Sequence, residues 1–246
     1  MSAYGGFAEI YDRLTYDVDY AAWADFLEWI FFRHFAGKPQ LVADLGCGTG
    51  SMCEQLHARG YDMIGIDASA EMLGVAAEKS AGKPILYLNQ DMTEFELYGT
   101  VDICLSLLDS VNYVTDEADL ARMFSLVHNY LNPGGLFVFD VNTPYKYQHI
   151  LADNVYTYDA DDLYYVWENQ FDGELCEFFL NFFVARPDGA YKRVTEYHVQ
   201  RCWNLEILEE MLRSAGLLPV ARYGCLKRIA PEETEERIFI IAQKND

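Results

Sequence analysis

Three glycines at alternate positions follow a short apolar run and precede a helical pattern. The run Leu41–Leu45 is typical of a buried strand, and Gly46, Gly48 and Gly50 form a glycine-rich turn directly after it. Glycine lacks a Cβ, so the chain can turn tightly there and its backbone can lie against a ligand. The pattern predicts a cradle for an adenosine-type cofactor.

Acidic residues follow at the ends of further predicted strands. Asp67 ends the apolar segment 61–67, at the separation from the glycines at which a carboxylate accepts hydrogen bonds from ribose hydroxyls. Asp109 lies just past the predicted strand 101–106, where it could take a proton from an acceptor ammonium. A helix-capping or solvated role for Asp109 is the alternative, and His198 is a weaker candidate base because a lone histidine on a strand is usually structural.

The spacing of the glycines separates two classes of cofactor. A dinucleotide fingerprint requires G-x-G-x-x-G, and counting from Gly46 places Ser51 where the third glycine should stand. The chain has D-x-G-x-G-x-G instead. This spacing argues against a nicotinamide or flavin enzyme.

Strands and helices alternate along most of the chain, which predicts an α/β fold. The predicted strands of the first part are 41–45, 61–67, 85–88, 101–106 and 136–141. Ser69, Asp116 and Asn204 occupy N-cap positions before helical patterns, and an amphipathic helix covers 21–35. Ligands of such folds bind at the loops after the strands, so the glycines and Asp67 are expected at one site.

The segment Asp44–Gly50 resembles the first motif of the class I S-adenosylmethionine-dependent methyltransferases. Asp67, the pair Asp91-Met92 and the segment Leu107–Tyr113 follow in the order and spacing of that family, and the resemblance covers about residues 1–145 and 200–246. It implies a Rossmann-like, mostly parallel seven-stranded sheet that ends in an antiparallel hairpin, here 217–223 and 236–242. A nicotinamide-binding sheet would end in another parallel unit.

The resemblance implies S-adenosylmethionine as the cofactor. Its methionine end is expected over Gly46–Gly50, its ribose on Asp67, and its adenine beside Asp91 and Met92. The N-terminal segments 7–12 and 16–20 are similar to the cap of small-molecule, sugar-amine N-methyltransferases, where tyrosines close over the cofactor; ordinary core or surface aromatics are the alternative. The expected cofactor-binding residues are Tyr11, Tyr20, Asp44, Gly46, Cys47, Gly48, Gly50, Asp67, Ala68, Met72, Asp91, Met92 and Leu107.

The segment 144–203 has a different character from the rest. Runs 161–171, 175–186 and 191–203 are rich in aromatic and β-branched residues, and Asp172-Gly173 and Pro187-Asp188-Gly189 separate them as hairpin turns. We therefore expect an inserted antiparallel meander between the two parts of a cofactor-binding domain, 1–143 and 204–246. One face must cover a core, and the other either roofs a substrate pocket or meets another subunit.

Composition narrows the possible partners. The formal net charge is −21, which repels polyanions, so a nucleic acid is not the expected partner. The six cysteines contain no C-x-x-C pair and the five histidines no metal spacing, so we expect free thiols in a reducing, cytoplasmic compartment and no metal. The N-terminus lacks a signal pattern and no apolar run has membrane length, so no membrane partner is expected; a monomer and a homodimer are both compatible.

The implied activity is methyl transfer to a small-molecule acceptor by in-line displacement. Asn142-Thr143-Pro144-Tyr145 looks like the N-P-P-Y tetrad of enzymes that methylate nucleic-acid bases. That tetrad belongs after the fourth strand, whereas this segment follows the fifth, so it is set aside. An RNA or protein methyltransferase of the same fold and a non-catalytic cofactor-binding module are the alternative functions.

Overall fold

The computed structural model describes residues 8–15 and 18–245, apart from the side chains of residues 9, 10 and 14. Of the predicted N-terminal cap, Phe7, Tyr16 and Asp17 therefore lie outside the described residues. Tyr11 and Tyr20, the tyrosines expected to meet the cofactor, are both described.

Strands account for most of the regular structure. In chain order they are β1 (Leu41–Leu45), β2 (Asp62–Asp67), β3 (Leu86–Asn89), β4 (Val101–Ser106), β5 (Leu131–Asn142), β6 (Val155–Ala160), β7 (Leu163–Phe171), β8 (Leu175–Ala185), β9 (Tyr191–Arg201), β10 (Leu217–Gly224) and β11 (Arg237–Lys244). Seven of them form one sheet in the order β10-β11-β5-β4-β1-β2-β3. Strands β1 to β5 pair in parallel, and β11 pairs antiparallel with both β5 and β10. The predicted Rossmann-like sheet with an antiparallel C-terminal hairpin is confirmed.

The structure describes six α-helices, three of which begin at capping side chains predicted from the sequence. They are α1 (Ala8–Leu14), α2 (Tyr20–His34), α3 (Ser51–Ala58), α4 (Ala70–Lys79), α5 (Glu117–Tyr130) and α6 (Leu205–Ser214). The side chains of Ser69, Asp116 and Asn204 accept hydrogen bonds from backbone N–H groups in the first turns of α4, α5 and α6. Over the residues that the structure describes, no helix has the length and apolar character needed to cross a bilayer.

The second sheet contains four antiparallel strands in the order β6-β7-β8-β9. Three of these were predicted from the aromatic runs, whereas β6 was not. Its half-buried and exposed residues alternate and none is fully buried, so no buried apolar face marks this strand, and pairing with β7 holds it in place. A π-helix over Lys146–Leu151 joins β5 to this sheet.

Strand β5 begins earlier than predicted. The turn-like segment 132–135 was expected to end a helix before a strand at Leu136. Instead Val101 pairs with Leu131 and Ile103 with Leu136, so a register shift absorbs the extra residues within the β4–β5 pair.

Two apolar cores cover the two faces of the seven-stranded sheet. One contains Phe124, Phe137 and Trp203, and the other contains Trp23 and Phe31 of α2. Because both faces are covered, the open part of the sheet is the edge formed by the carboxyl ends of its parallel strands.

Candidate functional site

A cavity of about 710 Å³, here called the main cavity, lies between this strand-end edge and the second sheet. Strand-end residues including Asp67, Asp109 and Asn142 form one wall. The other wall is the inner face of the second sheet, defined by its lining residues Tyr165, Trp167, Phe178, Leu180, His198 and Gln200. A volume of this order is typical of small-molecule sites.

A second, smaller cavity of about 40 Å³ lies beneath the glycine-rich turn. Tyr20, Asp44, Cys47 and Leu107 line it, and Gly46, Gly48 and Tyr11 line both cavities. Ala68, Met72, Asp91 and Met92 line the main cavity. The structure therefore brings every expected cofactor residue except Gly50 to one of these two spaces.

The glycine-rich turn has the open backbone that a cradle requires. Gly48 has φ +54°, and a Cβ built on it would meet only Tyr11 Cε1, at 3.9 Å, so its missing side chain leaves the cavity free. A Cβ on Gly46 would approach Ser110 Oγ to 2.8 Å. A side chain at position 48 would therefore fill open cavity space, whereas one at position 46 would collide with Ser110.

Packing accounts for the glycine at position 50, the one expected cofactor residue outside both cavities. It lies at the N-cap of α3 with φ +74°, and a Cβ there would collide with the Tyr87 hydroxyl and lie 3.0 Å from Ala76 Cβ. Packing against β3 and α4 leaves no room for a side chain at position 50, and Gly50 lines neither cavity.

Asp67 ties the glycine-rich turn to the end of β2. Its Oδ2 accepts a hydrogen bond of 2.8 Å from the Gly48 N–H, and its Oδ1 accepts one of 2.8 Å from the Ser69 N–H. Burial raises the pKa of this carboxyl, while the two backbone hydrogen bonds act in the opposite direction. Each carboxylate oxygen keeps acceptor capacity for a ligand hydroxyl at the cavity wall.

Asp44 is a buried carboxyl with an unsatisfied oxygen. Among the described residues its Oδ1 has no hydrogen-bond partner, while its Oδ2 accepts from Cys53 Sγ at 3.6 Å. Burial raises the pKa of Asp44 to about 7. A cationic group in the small cavity would supply the missing partner, and the ammonium of the predicted cofactor's methionine end has that chemistry.

Helix α1 joins the glycine-rich turn to the second sheet. Asp12 accepts a hydrogen bond from the Thr49 hydroxyl and forms an ion pair of 2.6 Å with Lys79, and Arg13 forms one of 2.7 Å with Asp162. The helix thereby holds Tyr11 against both cavities. Burial raises the pKa of the Tyr11 hydroxyl well above its usual value, so the ring stays neutral.

Asp109 belongs to a buried network that the sequence did not indicate. Arg237 forms ion pairs with both Asp109 and Asp140, and Gln200 Nε2 donates to Asp109 Oδ2 at 2.6 Å. Both oxygens of Asp109 are therefore engaged, which does not favour the predicted role as a free base. Lys146, whose pKa is lowered by burial, lines the cavity nearby and donates to Asn142 Oδ1 at 2.9 Å.

Asp140 shapes the loop that carries Asp109. The N–H groups of Leu108 and Asp109 donate to its carboxylate at 2.7 and 2.9 Å, and both residues have positive φ values, +54° and +56°. Non-glycine residues adopt this conformation at a cost, which fixed hydrogen bonds offset at functional sites. The sequence offered one weak sign of this, an acidic residue at the end of β5.

The inner face of the second sheet supplies an aromatic wall and a histidine. His198 lines the main cavity, its ring lies 5.7 Å from that of Tyr113, and burial lowers its pKa. The weaker candidate base of the sequence analysis thus lies at the wall of the main cavity.

Comparison with known proteins finds similarity over the whole chain. Residues 42–135 match the family described as methyltransferase domain. A protein of Geobacillus sp. (strain WCH70) that bears a methyltransferase name is 31% identical over 98% of this chain and 99% of its own length. The crystal structure of an S-adenosylmethionine-dependent methyltransferase from Clostridium acetobutylicum ATCC 824 is 33% identical, with a TM-score of 0.90 and 100% coverage of both chains. The dTDP-3-amino-3,4,6-trideoxy-alpha-D-glucopyranose N,N-dimethyltransferase of Streptomyces venezuelae is 25% identical over 85% of this chain and 89% of its own.

Proposed function

Because this chain belongs to the S-adenosylmethionine-dependent methyltransferases, we propose that it methylates an amine of a small molecule bound in the main cavity. The observation that carries the proposal is the shape of that cavity. One continuous space of about 710 Å³ reaches from the cofactor residues Asp67 and Asp91 to the aromatic wall of the second sheet. A methyl donor on one side and a small acceptor on the other would meet inside it.

The residues present fit the cofactor. The bare glycine-rich turn would accommodate its methionine end, and the orphaned Asp44 Oδ1 would accept from its ammonium. Asp67 would bind its ribose, and Asp91 and Met92 its adenine. When bound, S-adenosylmethionine supplies an electrophilic methyl group on a sulfonium cation.

The contribution of the chain itself is to bind, align and exclude water. Holding two reactants in attack geometry can supply roughly 7–11 kcal/mol of a barrier. Tyr11 and Tyr113 line the cavity, where their rings would limit the access of water to the point at which the two sides meet. Asp109, fixed by Arg237 and Gln200, presents a stationary negative charge that would orient an acceptor ammonium or amine.

The charge of the site supports an amine and opposes a polyanion. Five aspartates line the main cavity against two cations, Lys146 and Arg237, so acidic groups outnumber basic ones there; they are Asp67, Asp91, Asp109, Asp116 and Asp119. Phosphate backbones would be repelled by such a lining. The Streptomyces venezuelae relative, by its name an N,N-dimethyltransferase of a dTDP-linked amino sugar, supports an amine-bearing acceptor.

The test is a screen for turnover. Purified protein is incubated with S-adenosylmethionine and fractionated small metabolites, and release of S-adenosylhomocysteine is followed, with mass spectrometry of the new product. We expect a small N-methylated amine, and no release from the Gly48→Val protein. Turnover only with RNA or protein fractions, or cofactor binding without any turnover, would contradict the proposal.

A further inference from the structure

Unsatisfied polar atoms are concentrated on the inner face of the second sheet. Among the described residues, six buried side-chain nitrogen or oxygen atoms lack a hydrogen-bond partner, and three belong to this sheet: Trp167 Nε1, Asn169 Oδ1 and Glu196 Oε2. Burying such an atom without a partner costs about 1–3 kcal/mol. One sheet face that bears three of them is built to receive polar groups from elsewhere.

All three atoms belong to residues on the cavity side of the sheet. Trp167 lines the main cavity itself, and Leu180, which is opposite both Trp167 and Glu196 in the register, lines it as well. Asn169 stands opposite Phe178, another lining residue. Residues directly opposite each other on paired strands share a face, so these side chains point in one direction.

Glu196 is the least expected of the three. It is 5% exposed, and within β9 it precedes the cavity-lining His198 by two residues, so it stands on the same face. A carboxylate in such a place normally has a partner. Burial raises the pKa of Glu196 to about 7, which leaves a substantial ionised fraction at neutral pH, ready to accept a hydrogen bond.

Trp167 adds a flat surface and a donor. Its ring packs between those of Tyr156 and Phe178, at centroid distances of 5.4 and 5.8 Å, which fixes the indole plane. A fixed aromatic ring offers an apolar platform, and its Nε1–H requires an acceptor oxygen.

We propose that Trp167 and Glu196 form the polar subsite that recognises the acceptor, Trp167 donating to a ring or hydroxyl oxygen and Glu196 accepting from an amine or hydroxyl group. The inference rests on the proposed function for the identity of the ligand as acceptor, and it adds its chemical class. The ligand carries an acceptor oxygen for Trp167, a donor for Glu196 and a compact body that packs on the indole ring, as an amino sugar does.

The experiment follows the indole N–H resonance of Trp167 by ¹H–¹⁵N NMR, with S-adenosylhomocysteine present and glucosamine as the probe. The Trp167→Phe protein assigns the resonance by its absence. We expect glucosamine to move this resonance saturably and to bind about tenfold more weakly to Glu196→Gln, because a charge-assisted hydrogen bond is lost. Glu168→Gln, the same change on the exposed face of β7, should bind as the unmodified protein does.

Equal affinities in Glu196→Gln and Glu168→Gln, or a Trp167 resonance that glucosamine does not move, would overturn the subsite and leave water as the partner of these atoms. Should Glu196→Gln fail to fold, calorimetry on Trp167→Phe tests the same subsite. We expect its affinity for glucosamine to fall about fivefold, because the indole N–H is missing. Failure of the proposed function appears separately: the probe would bind as described, while the turnover screen yields no methylated amine.

Discussion

At the scale of single residues, Gly48 and Gly50 occupy the same left-handed region of one turn but are required for different reasons. The Cβ position of Gly48 is open to the cavity, whereas that of Gly50 is occupied by the Tyr87 hydroxyl. One glycine keeps space for a ligand, and the other keeps space for packing between α3 and β3.

This difference predicts opposite outcomes for one substitution. Gly48→Val should weaken S-adenosylhomocysteine binding by at least about tenfold, or 1.4 kcal/mol, with a stability loss near the 1–2 kcal/mol of an unfavourable φ. Gly50→Val should lose about 3 kcal/mol of stability because overpacking adds to that strain, while its folded fraction binds normally. Calorimetry and urea unfolding measure the two effects. Normal cofactor affinity in folded Gly48→Val would refute the cradle.

Glu196 predicts a dependence of stability on pH. Its pKa is raised by burial from 4.5 to about 7 in the folded protein, so the folded state binds the proton more tightly than the unfolded state. The stability associated with the protonated form is fully present below about pH 4.5 and is lost as pH rises through about 7. Relative to Glu196→Gln, the unmodified protein should lose on the order of 2–3 kcal/mol across this range. A constant difference in unfolding free energy between pH 4.5 and 8 would contradict this assignment.

At the scale of elements, the ion pairs of Arg237 connect three strand ends. Arg237 begins β11, Asp140 lies near the end of β5, and Asp109 follows β4. Asp140 is fully buried, so its charge depends on Arg237 and on two backbone N–H groups for compensation. The arrangement fixes the loop that forms the floor of the main cavity.

Removal of this guanidinium should be costly. Arg237→Gln would leave the fully buried Asp140 and the partly buried Asp109 without their counter-ion, and we expect a loss of about 3–5 kcal/mol in unfolding free energy. Arg122→Gln, at an exposed ion pair with Asp119, is the matched control and should cost less than about 1 kcal/mol. Urea unfolding of both proteins measures these losses. Similar small losses of unfolding free energy in the two proteins would mean that the network contributes little to stability.

At the scale of the whole molecule, the second sheet closes a space that the seven-stranded sheet leaves open. It supplies the aromatic wall of the main cavity, and it is joined to α1 through the ion pair of Arg13 with Asp162. We propose that the segment 144–203 determines the acceptor while the rest of the chain holds the cofactor. Trp203, the last residue of this segment, is buried in a core of the seven-stranded sheet. It therefore marks the point where the segment rejoins the rest of the chain.

Replacing residues 154–199 by a short loop tests this division and keeps Gln200 and Trp203 in place. The shortened protein should bind S-adenosylhomocysteine and lose turnover, as measured by calorimetry and by the release assay. Gel filtration shows whether the sheet also joins subunits. A folded, shortened protein that methylates the acceptor at the parent rate would exclude the second sheet from the acceptor site.

The sequence alone determined the features that depend on neighbouring residues. The glycine-rich turn, the caps at Ser69, Asp116 and Asn204, and the parallel strands with a C-terminal hairpin followed from local conformation and from motif order. The meeting of the expected cofactor residues, apart from Gly50, at the two cavities also followed, because consecutive parallel strands deliver their ends to one edge.

Only the tertiary structure decided the features that depend on distant residues. Arg237 reaches Asp109 across 128 positions of the chain, Gln200 reaches it across 91, and no motif records either approach. The packing role of Gly50 depends on Tyr87 of β3. Strand β6 and the early start of β5 depend on pairing with their neighbouring strands. Whether Glu196 is a solvated strand residue or a buried carboxyl without a partner depends on what packs against its face. Local sequence encodes backbone conformation, whereas the burial of a side chain and its hydrogen-bond or ion-pair partners are properties of the assembled fold.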